Sequence, residues 1–252
     1  MIIRDQQLDA LKRVTSSRFE DRTFAHVATY FPDFLTLCDE PGIRSAIRLA
    51  WQRAAGHDVM TERGVWQYVD VAFMLGSGFD TDPRVPWAAP ALDSRRHEQV
   101  RMQEVFAGAL AFIEATKKDF PAWGGDQKRL LVSLRQIETE TGDDLTDDDL
   151  SAFTTQLGAL FEAGLPARYA YLGPETMGAA VDRGVRDARN HGLTTRRGAA
   201  VYTVLTLLLG SDVATDPLYP WVRDALTPPV TASERADRLL TASTGRLHGW
   251  LH

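Results

Sequence analysis

A match of the chain with itself constrains its fold more than any other feature of the sequence. At an offset of 134 residues, positions 43–92 pair without a gap with positions 177–226, and 17 of the 50 pairs are identical. Average composition predicts only about 3 identities by chance. The strongest part pairs Gly76–Trp87 with Gly210–Trp221, where seven of twelve positions are identical. We infer that one structural unit is used twice.

Each copy of this unit has the pattern of a series of helices. In the first copy, Ile43, Ile47, Ala50 and Ala54 recur at the spacing of one buried helix face. In the second copy, residues 199–209 are apolar nearly all round, which predicts a helix at the centre of its lobe. No alternating β pattern of useful length occurs. The sequence therefore predicts an all-α protein of about ten to twelve helices.

The offset also predicts the organisation of the chain. We expect one helical repeat lobe over residues 1–116, a linker with a helix of its own over 117–142, and a second lobe over 143–252. The two lobes should be similar and related by a pseudo-twofold axis.

Composition narrows the class of protein. Cys38 is the only cysteine, so an internal disulfide is excluded, and the N-terminus lacks the pattern of a signal peptide. The longest apolar stretch is far short of the ~20 residues that span a bilayer. A net charge of −6 gives no electrostatic reason to approach nucleic acid or an anionic membrane. We expect a cytoplasmic protein that binds neither.

The most conspicuous shared motif is Thr-Asp-Pro-x-x-Pro-Trp, at residues 81–87 and 215–221. Its aspartates could bind a cation, but aspartate followed by proline is also typical of a helix N-cap and first helical position. The tryptophans, about one turn later, would lock the new helix onto the previous one. We prefer this structural interpretation for Asp82, Pro83, Trp87, Asp216, Pro217 and Trp221.

A second set of shared residues surrounds the break between two helices. Either histidine of the set could serve as a general base, but a histidine beside glycine at a helix end is also typical of a C-cap. Each shared arginine follows a threonine N-cap, Thr61 or Thr195. It could form an internal salt bridge or line a groove between the lobes, and we favour the salt bridge. The set comprises His57, Arg63, Tyr68, His191, Arg197 and Tyr202. From these motifs we predict no catalytic residue, metal site or cofactor.

Three segments of the first copy resemble a known group of proteins. They are Ile3–Leu8, the stretch from Arg18–Arg22 to Tyr30-Phe31-Pro32, and Phe79–Pro83 with Pro86-Trp87. Together they are similar to uncharacterised helical accessory proteins associated with bacterial polymorphic-toxin and type VI secretion gene clusters. The likeness covers residues 3–92, and the second copy departs from it at Val213 and Ala214.

The resemblance implies a role beside a toxin. The function that we expect is non-enzymatic protein binding, as an adaptor or chaperone for a secreted bacterial toxin or its delivery apparatus. A close alternative is an immunity protein whose acidic surface covers a basic active site. An alternative of another class is a small-molecule enzyme with a pocket between the two lobes, in which His57 or His191 acts with an aspartate.

Overall fold

The computed structural model describes residues 5–119 and 144–249, and these parts of the chain are almost wholly helical. We call residues 5–119 the first half and residues 144–249 the second half. Over these residues there is no β-strand, only an isolated bridge between Asp144 and Thr195. The all-α prediction is confirmed. Most of the predicted linker with its helix lies outside the described residues.

Eleven α-helices lie in the described parts of the chain, within the predicted ten to twelve. The first half contains α1 (Asp5–Tyr30), α2 (Phe34–Leu37), α3 (Glu40–Gly56), α4 (Glu62–Leu75), α5 (Ala88–Leu92) and α6 (Glu98–Thr116). The second half contains α7 (Leu150–Gly164), α8 (Pro166–Asn190), α9 (Arg196–Leu209), α10 (Pro220–Leu226) and α11 (Ala232–Gly249). Two 3₁₀ turns, Phe79–Thr81 and Lys117–Asp119, complete the first half.

Helix ends repeat at the offset found in the sequence. Both ends of α9 lie 134 residues after those of α4, and α8 ends 134 residues after α3. Inside α8, Gly173 leaves the helical conformation before Pro174, at the position that corresponds to the start of α3. These bounds accord with two related halves, although the duplication itself stays a prediction from the sequence.

Threonine caps begin α4 and α9, as predicted. The side chains of Thr61 and Thr195 accept a hydrogen bond from Gly64 N and Gly198 N, each at 3.1 Å. A helix has four backbone N–H groups without internal partners at its start, and an N-cap oxygen satisfies one of them.

The turns before these caps also correspond between the halves, but a different residue type adopts the left-handed conformation in each. His57 and His191 are the C-cap residues of α3 and α8, which confirms that prediction. The left-handed residue follows one position later and is Gly192 in the second half (φ 73°) but Asp58 in the first (φ 52°). Aspartate tolerates this region better than most residues.

Buried side chains from both halves form one continuous core. From Gly198 to Leu209, every residue of α9 except Leu208 is buried, as its apolar sequence predicts, and α9 packs against α8 and α11. In the first half, α4 packs against α3 and α6. The helices therefore bring the C-terminal ends of α4 and α9 to the place where the halves meet. No helix in the described parts is both long and apolar enough to cross a membrane.

Candidate functional site at the junction of the halves

The two halves meet through the loops that follow α4 and α9, and they exchange equivalent hydrogen bonds there. Ser77 donates its backbone N–H and its hydroxyl to the two carboxylate oxygens of Asp216, both at 2.8 Å. In return, Ser211 donates its backbone N–H to Asp82 Oδ2 at 3.0 Å. Each aspartate of the shared motif thus holds the loop of the other half.

Two glycines allow this close approach. Gly76 and Gly210 have φ of 100° and 127°, which L-residues with a side chain rarely adopt. A Cβ atom on Gly76 would lie 2.5 Å from Leu209 O, and one on Gly210 would lie 3.0 Å from Leu75 O. The junction therefore needs glycine at both positions for conformation and for space.

The prediction that Asp82 and Asp216 are helix N-caps is wrong. Asp82 follows the 3₁₀ turn and α5 begins only at Ala88, whereas α10 begins at Pro220. Each carboxylate instead closes a local turn, because Asp82 Oδ1 accepts from Arg84 N at 2.8 Å and Asp216 Oδ1 from Leu218 N at 2.9 Å. Pro83 and Pro217 consequently lie in turns and not at the first position of a helix.

At least one tryptophan of the motif packs differently from the prediction. Trp87 is half-buried, and its ring covers Gly108, where an added Cβ would lie 2.7 Å from the ring. Trp87 therefore locks onto α6, the following long helix, and not onto the previous one. Trp221 is buried within α10.

One side of the junction carries a buried cation that the other lacks. Arg84, 2% exposed, donates Nε to Asp82 Oδ2 at 2.9 Å. It also donates to Leu75 O at 2.7 Å and to Leu207 O at 3.0 Å, near the C-terminal ends of α4 and α9. Leu218, fully buried, occupies the corresponding position in the second half.

Arg84 also explains why only one of the two serine hydroxyls takes part in the hydrogen bonds between the halves. The hydroxyl of Ser77 donates to Asp216. Because the guanidinium of Arg84 binds Asp82 Oδ2, the buried hydroxyl of Ser211 has no hydrogen-bond partner among the described residues. A cavity of about 10 Å³ lies beside Ser211, close to the size of a single water molecule. The cavity at this point of the junction is too small for a substrate.

A cluster of polar groups converges on Asp80, in the 3₁₀ turn beside the junction. Tyr68 Oη donates to Asp80 Oδ2 at 2.8 Å, and His57 Nε2 lies 3.0 Å from the same oxygen. Arg53 Nε donates to Asp80 Oδ1 at 3.0 Å. Burial opposes ionisation of this carboxyl, but the hydrogen bonds from Arg53 and Tyr68 outweigh it and hold the pKa of Asp80 below its usual range.

The cluster extends across the junction through Asp212. Arg53 Nη1 donates to Asp212 Oδ2 at 3.3 Å, and Arg183 Nη2 donates to Asp212 Oδ1 at 3.0 Å. Arg183 also donates to Thr81 O in the first half. Burial raises the pKa of Asp212 despite these two cations. Two arginines, one from each half, therefore tie the halves together through one carboxylate.

Sequence comparison alone did not find this cluster, because its key members are not shared. Asp80 corresponds to Ala214, Arg53 to Asp187 and Asp212 to Gly78. The available signal was the placement of Arg53 and His57 four residues apart, on one side of a helix end, with Tyr68 on the next helix.

The paired histidines have different surroundings. His57 lies 2.8 Å from Asp93 through Nδ1 and 3.0 Å from Asp80 through Nε2, so both ring nitrogens are engaged by carboxylates. His191 instead packs against Tyr202, with 5.5 Å between ring centroids, and burial lowers its pKa. While its contacts hold, His57 has no free nitrogen with which to accept a proton from a substrate.

The paired tyrosines are buried at equivalent positions of α4 and α9. Burial raises the pKa of both Tyr68 and Tyr202, so neither phenol ionises near neutral pH. Tyr68 reaches Asp80, whereas Ala214 takes the place of that carboxylate near Tyr202. Tyr68 therefore donates to a carboxylate, whereas Tyr202 hydrogen-bonds with the backbone of Ala214.

The salt-bridge prediction for the paired arginines is confirmed for one of them. Arg197 forms an ion pair with Asp237 on α11. Arg63 is exposed and forms no ion pair within the described residues, since the position that corresponds to Asp237 is Gln103.

A groove of about 730 Å³ lies in the second half, between α7 and α8. Ser151, Val185, Arg186 and Arg189 are among its lining residues, and neither His57 nor His191 lines it. Trp51 stands in the first half at the position of Val185. Within the described ranges, no group of three or more His, Cys, Asp and Glu side chains could hold a metal ion.

An apolar surface lies in the first half where α1 turns into α2. Tyr30 is 69% exposed and Leu35 is 46% exposed. Pro32 between them is also exposed, and Phe31 and Leu37 are half-buried. We call residues 30–37 the apolar corner.

Comparison of the chain with models of known protein families, with curated proteins and with solved structures found no significant match.

Proposed function

We propose that this chain is a non-enzymatic protein-binding accessory protein, an adaptor or chaperone for a secreted bacterial toxin or its delivery apparatus. The observation that carries the proposal is the apolar corner, where Tyr30 and Leu35 are exposed five residues apart in the chain, on either side of the turn from α1 to α2. Large apolar side chains grouped on a surface are typical of a partner site, and tyrosine is enriched in such sites.

The motif Tyr30-Phe31-Pro32, which carries part of the resemblance to toxin-associated proteins, forms the start of this surface. The shared residues support the same proposal, because their side chains form turns, caps and the junction and leave no repeated group for a reaction. This holds for Asp82, Asp216, Thr61 and Thr195.

The immunity alternative uses the same kind of surface and differs only in what binding does to the toxin. The net charge of −6 favours association with a basic partner, which a toxin active site that binds nucleic acid or phosphate would supply. We treat this role as the second candidate.

The enzyme alternative depends on the cluster at Asp80, the asymmetric group of titratable side chains that an active site requires. Two features argue against it. Both ring nitrogens of His57 are engaged by carboxylates. Arg53 and Tyr68 bind Asp80 as a structural carboxylate would be bound.

Co-expression of the tagged chain with the proteins encoded beside its gene tests the proposal. We expect a stoichiometric complex with a secreted toxin or a component of its delivery apparatus, identified by mass spectrometry after two purification steps. The Leu35→Asp variant should lose this complex. Leu110→Asp is the matched control, because Leu110 on α6 is 49% exposed and Leu35 is 46% exposed.

The activity of the bound toxin separates the two roles. A chaperone or adaptor leaves the purified toxin active and raises its yield or its secretion, whereas an immunity protein abolishes its activity at equimolar ratio. If the protein forms no complex with any neighbouring product, and if Asp80→Asn removes a measurable turnover, the enzyme alternative replaces this proposal.

A further inference from the structure

The apolar corner is a rigid surface and not a loose turn. Beneath it, Phe34 packs edge-on against Phe73 at 5.2 Å between ring centroids, and Phe31 contacts the same ring at 5.6 Å. Beside it, His26 lies 4.6 Å from Tyr30. Because the underlying rings hold α2 and the end of α1, Tyr30 and Leu35 are presented in a fixed arrangement, which lowers the entropy lost on binding.

In the second half, another helix packs against the counterpart of this corner. Residues 166–172 of α8 occupy the position that corresponds to residues 32–38. The long helix α6 lies against them, and its Phe112 contacts Tyr171 edge-on at 5.6 Å between ring centroids, while Tyr171 stays 39% exposed. The guanidinium of Arg168 lies 5.5 Å above the same phenyl ring. Within this chain, a helix with an aromatic side chain therefore packs against part of the equivalent surface.

Charge defines the partner further. Residues 30–40 include Asp33, Asp39 and Glu40 but no lysine or arginine. Glu40 is paired with Arg44, and Asp39 accepts a hydrogen bond from Gly42 N, so Asp33 is the carboxylate next to the corner that is exposed without such a contact. Asp33 is exposed and makes no capping hydrogen bond with α2. The apolar surface thus has an acidic rim, which favours a partner of opposite charge and disfavours an acidic one.

We propose that the apolar corner binds an amphipathic helix of the partner protein, with an aromatic or leucine anchor on one face and lysine or arginine on the other. This inference rests on the proposed function and identifies the part of the partner that is recognised. It is the helix-in-groove mode of recognition, with the acidic rim setting orientation and preference.

Designed helical peptides test the proposal directly. One probe carries a Leu/Phe face and a lysine face, and a matched probe carries the same apolar face with glutamate in place of lysine. Each is about 18 residues long, because shorter helices are marginal in water. Fluorescence anisotropy with the full chain should give at least tenfold tighter binding of the lysine probe, and this preference should shrink as salt rises.

Variants of the chain locate the binding site. Leu35→Asp and Tyr30→Ala should each weaken binding of the lysine probe at least tenfold, whereas Leu110→Asp should leave it unchanged. Circular dichroism checks that the variants fold, and because Tyr30 and Leu35 are exposed, we expect wild-type spectra. Equal binding of both probes, or loss of binding in Leu110→Asp alone, would overturn the inference.

The outcome for the natural complex separates this inference from the proposed function. If the neighbouring product still binds Leu35→Asp and Tyr30→Ala with wild-type affinity, the accessory role stands and the helix-binding corner is wrong. If no neighbouring product binds the wild-type chain but the lysine probe binds at the corner, the corner is a helix site and the toxin-associated role fails.

Discussion

The two sides of the junction share a framework but differ in charge. On both sides, a Gly-Ser loop receives an aspartate from the other half, and a threonine caps the helix that leads to the loop. Over the described residues, Asp82 is paired with a buried arginine, whereas the hydrogen bonds to Asp216 come from neutral donors. The difference separates the interactions that both sides have in common from those that occur on one side.

Removal of the two aspartates should separate these contributions most strongly. We expect Asp82→Ala to destabilise the protein by about 3–5 kcal/mol, because it leaves the cation of Arg84 buried without a counter-charge. Asp216→Ala should cost only about 1–3 kcal/mol, the loss of hydrogen bonds to a buried neutral network. Urea unfolding of both variants provides the comparison, and equal losses would show that Arg84 does not depend on Asp82.

Alanine at the two glycines should have the next largest effect. Gly76→Ala and Gly210→Ala both force a side chain into a backbone region that costs about 1–3 kcal/mol. The added Cβ is closer to the opposing carbonyl at Gly76, 2.5 Å against 3.0 Å, so Gly76→Ala should be the less stable of the two. Thermal unfolding by circular dichroism measures the order, and the reverse order would contradict the junction geometry.

The carboxyls on the two sides should respond oppositely to pH. The folded pKa of Asp80 is lowered, so its contribution to stability is present above the unfolded value of about 3.9 and is lost as pH falls through the folded pKa. Burial raises the pKa of Asp216, so in the folded protein this carboxyl stays protonated to a higher pH than in the unfolded chain. Its contribution to stability therefore falls as pH rises above about 3.9.

Urea unfolding between pH 3 and pH 7 measures this contrast. Relative to wild type, Asp80→Asn should lose more stability as pH rises, and Asp216→Asn should lose less or gain. Parallel curves for the two variants would mean that the two carboxyls titrate alike.

The smallest effect is expected at the paired arginines. Arg197→Met should cost about 0.2–1 kcal/mol through loss of the pair with Asp237, and Arg63→Met should be within error of wild type. Chemical unfolding of both variants in low and high salt checks this prediction. The stability lost in Arg197→Met should be smaller in high salt, because salt screens the ion pair, and the stability of Arg63→Met should match wild type at both salt concentrations.

Local features of the fold were predictable from the sequence, and features that join distant segments were not. Thr61 and Thr195 act on backbone groups three residues away, so their sequence pattern suffices to identify the caps. The Asp-Pro pairs carry the same local signal, but the decisive partners, Ser77 and Ser211, are more than a hundred residues away in the chain. A short-range propensity was overridden by a contact that only the folded chain provides.

The cluster at Asp80 was missed for a related reason. The sequence comparison gave weight to residues that recur, and Asp80 corresponds to Ala214 in the second copy. The apolar corner was not predictable either, because the exposure of Tyr30 and Leu35 depends on how distant helices pack, and α6 packs against part of the equivalent surface in the second half.

The crossed hydrogen bonds of the junction have a consequence for how the chain folds. Ser77 and Ser211 each donate a backbone N–H to an aspartate of the other half, so either half alone would contain an interface whose backbone groups lack these acceptors. We expect the halves to be interdependent, with one cooperative unfolding transition for the whole molecule. Mixed fragments should acquire structure together and fail to do so apart.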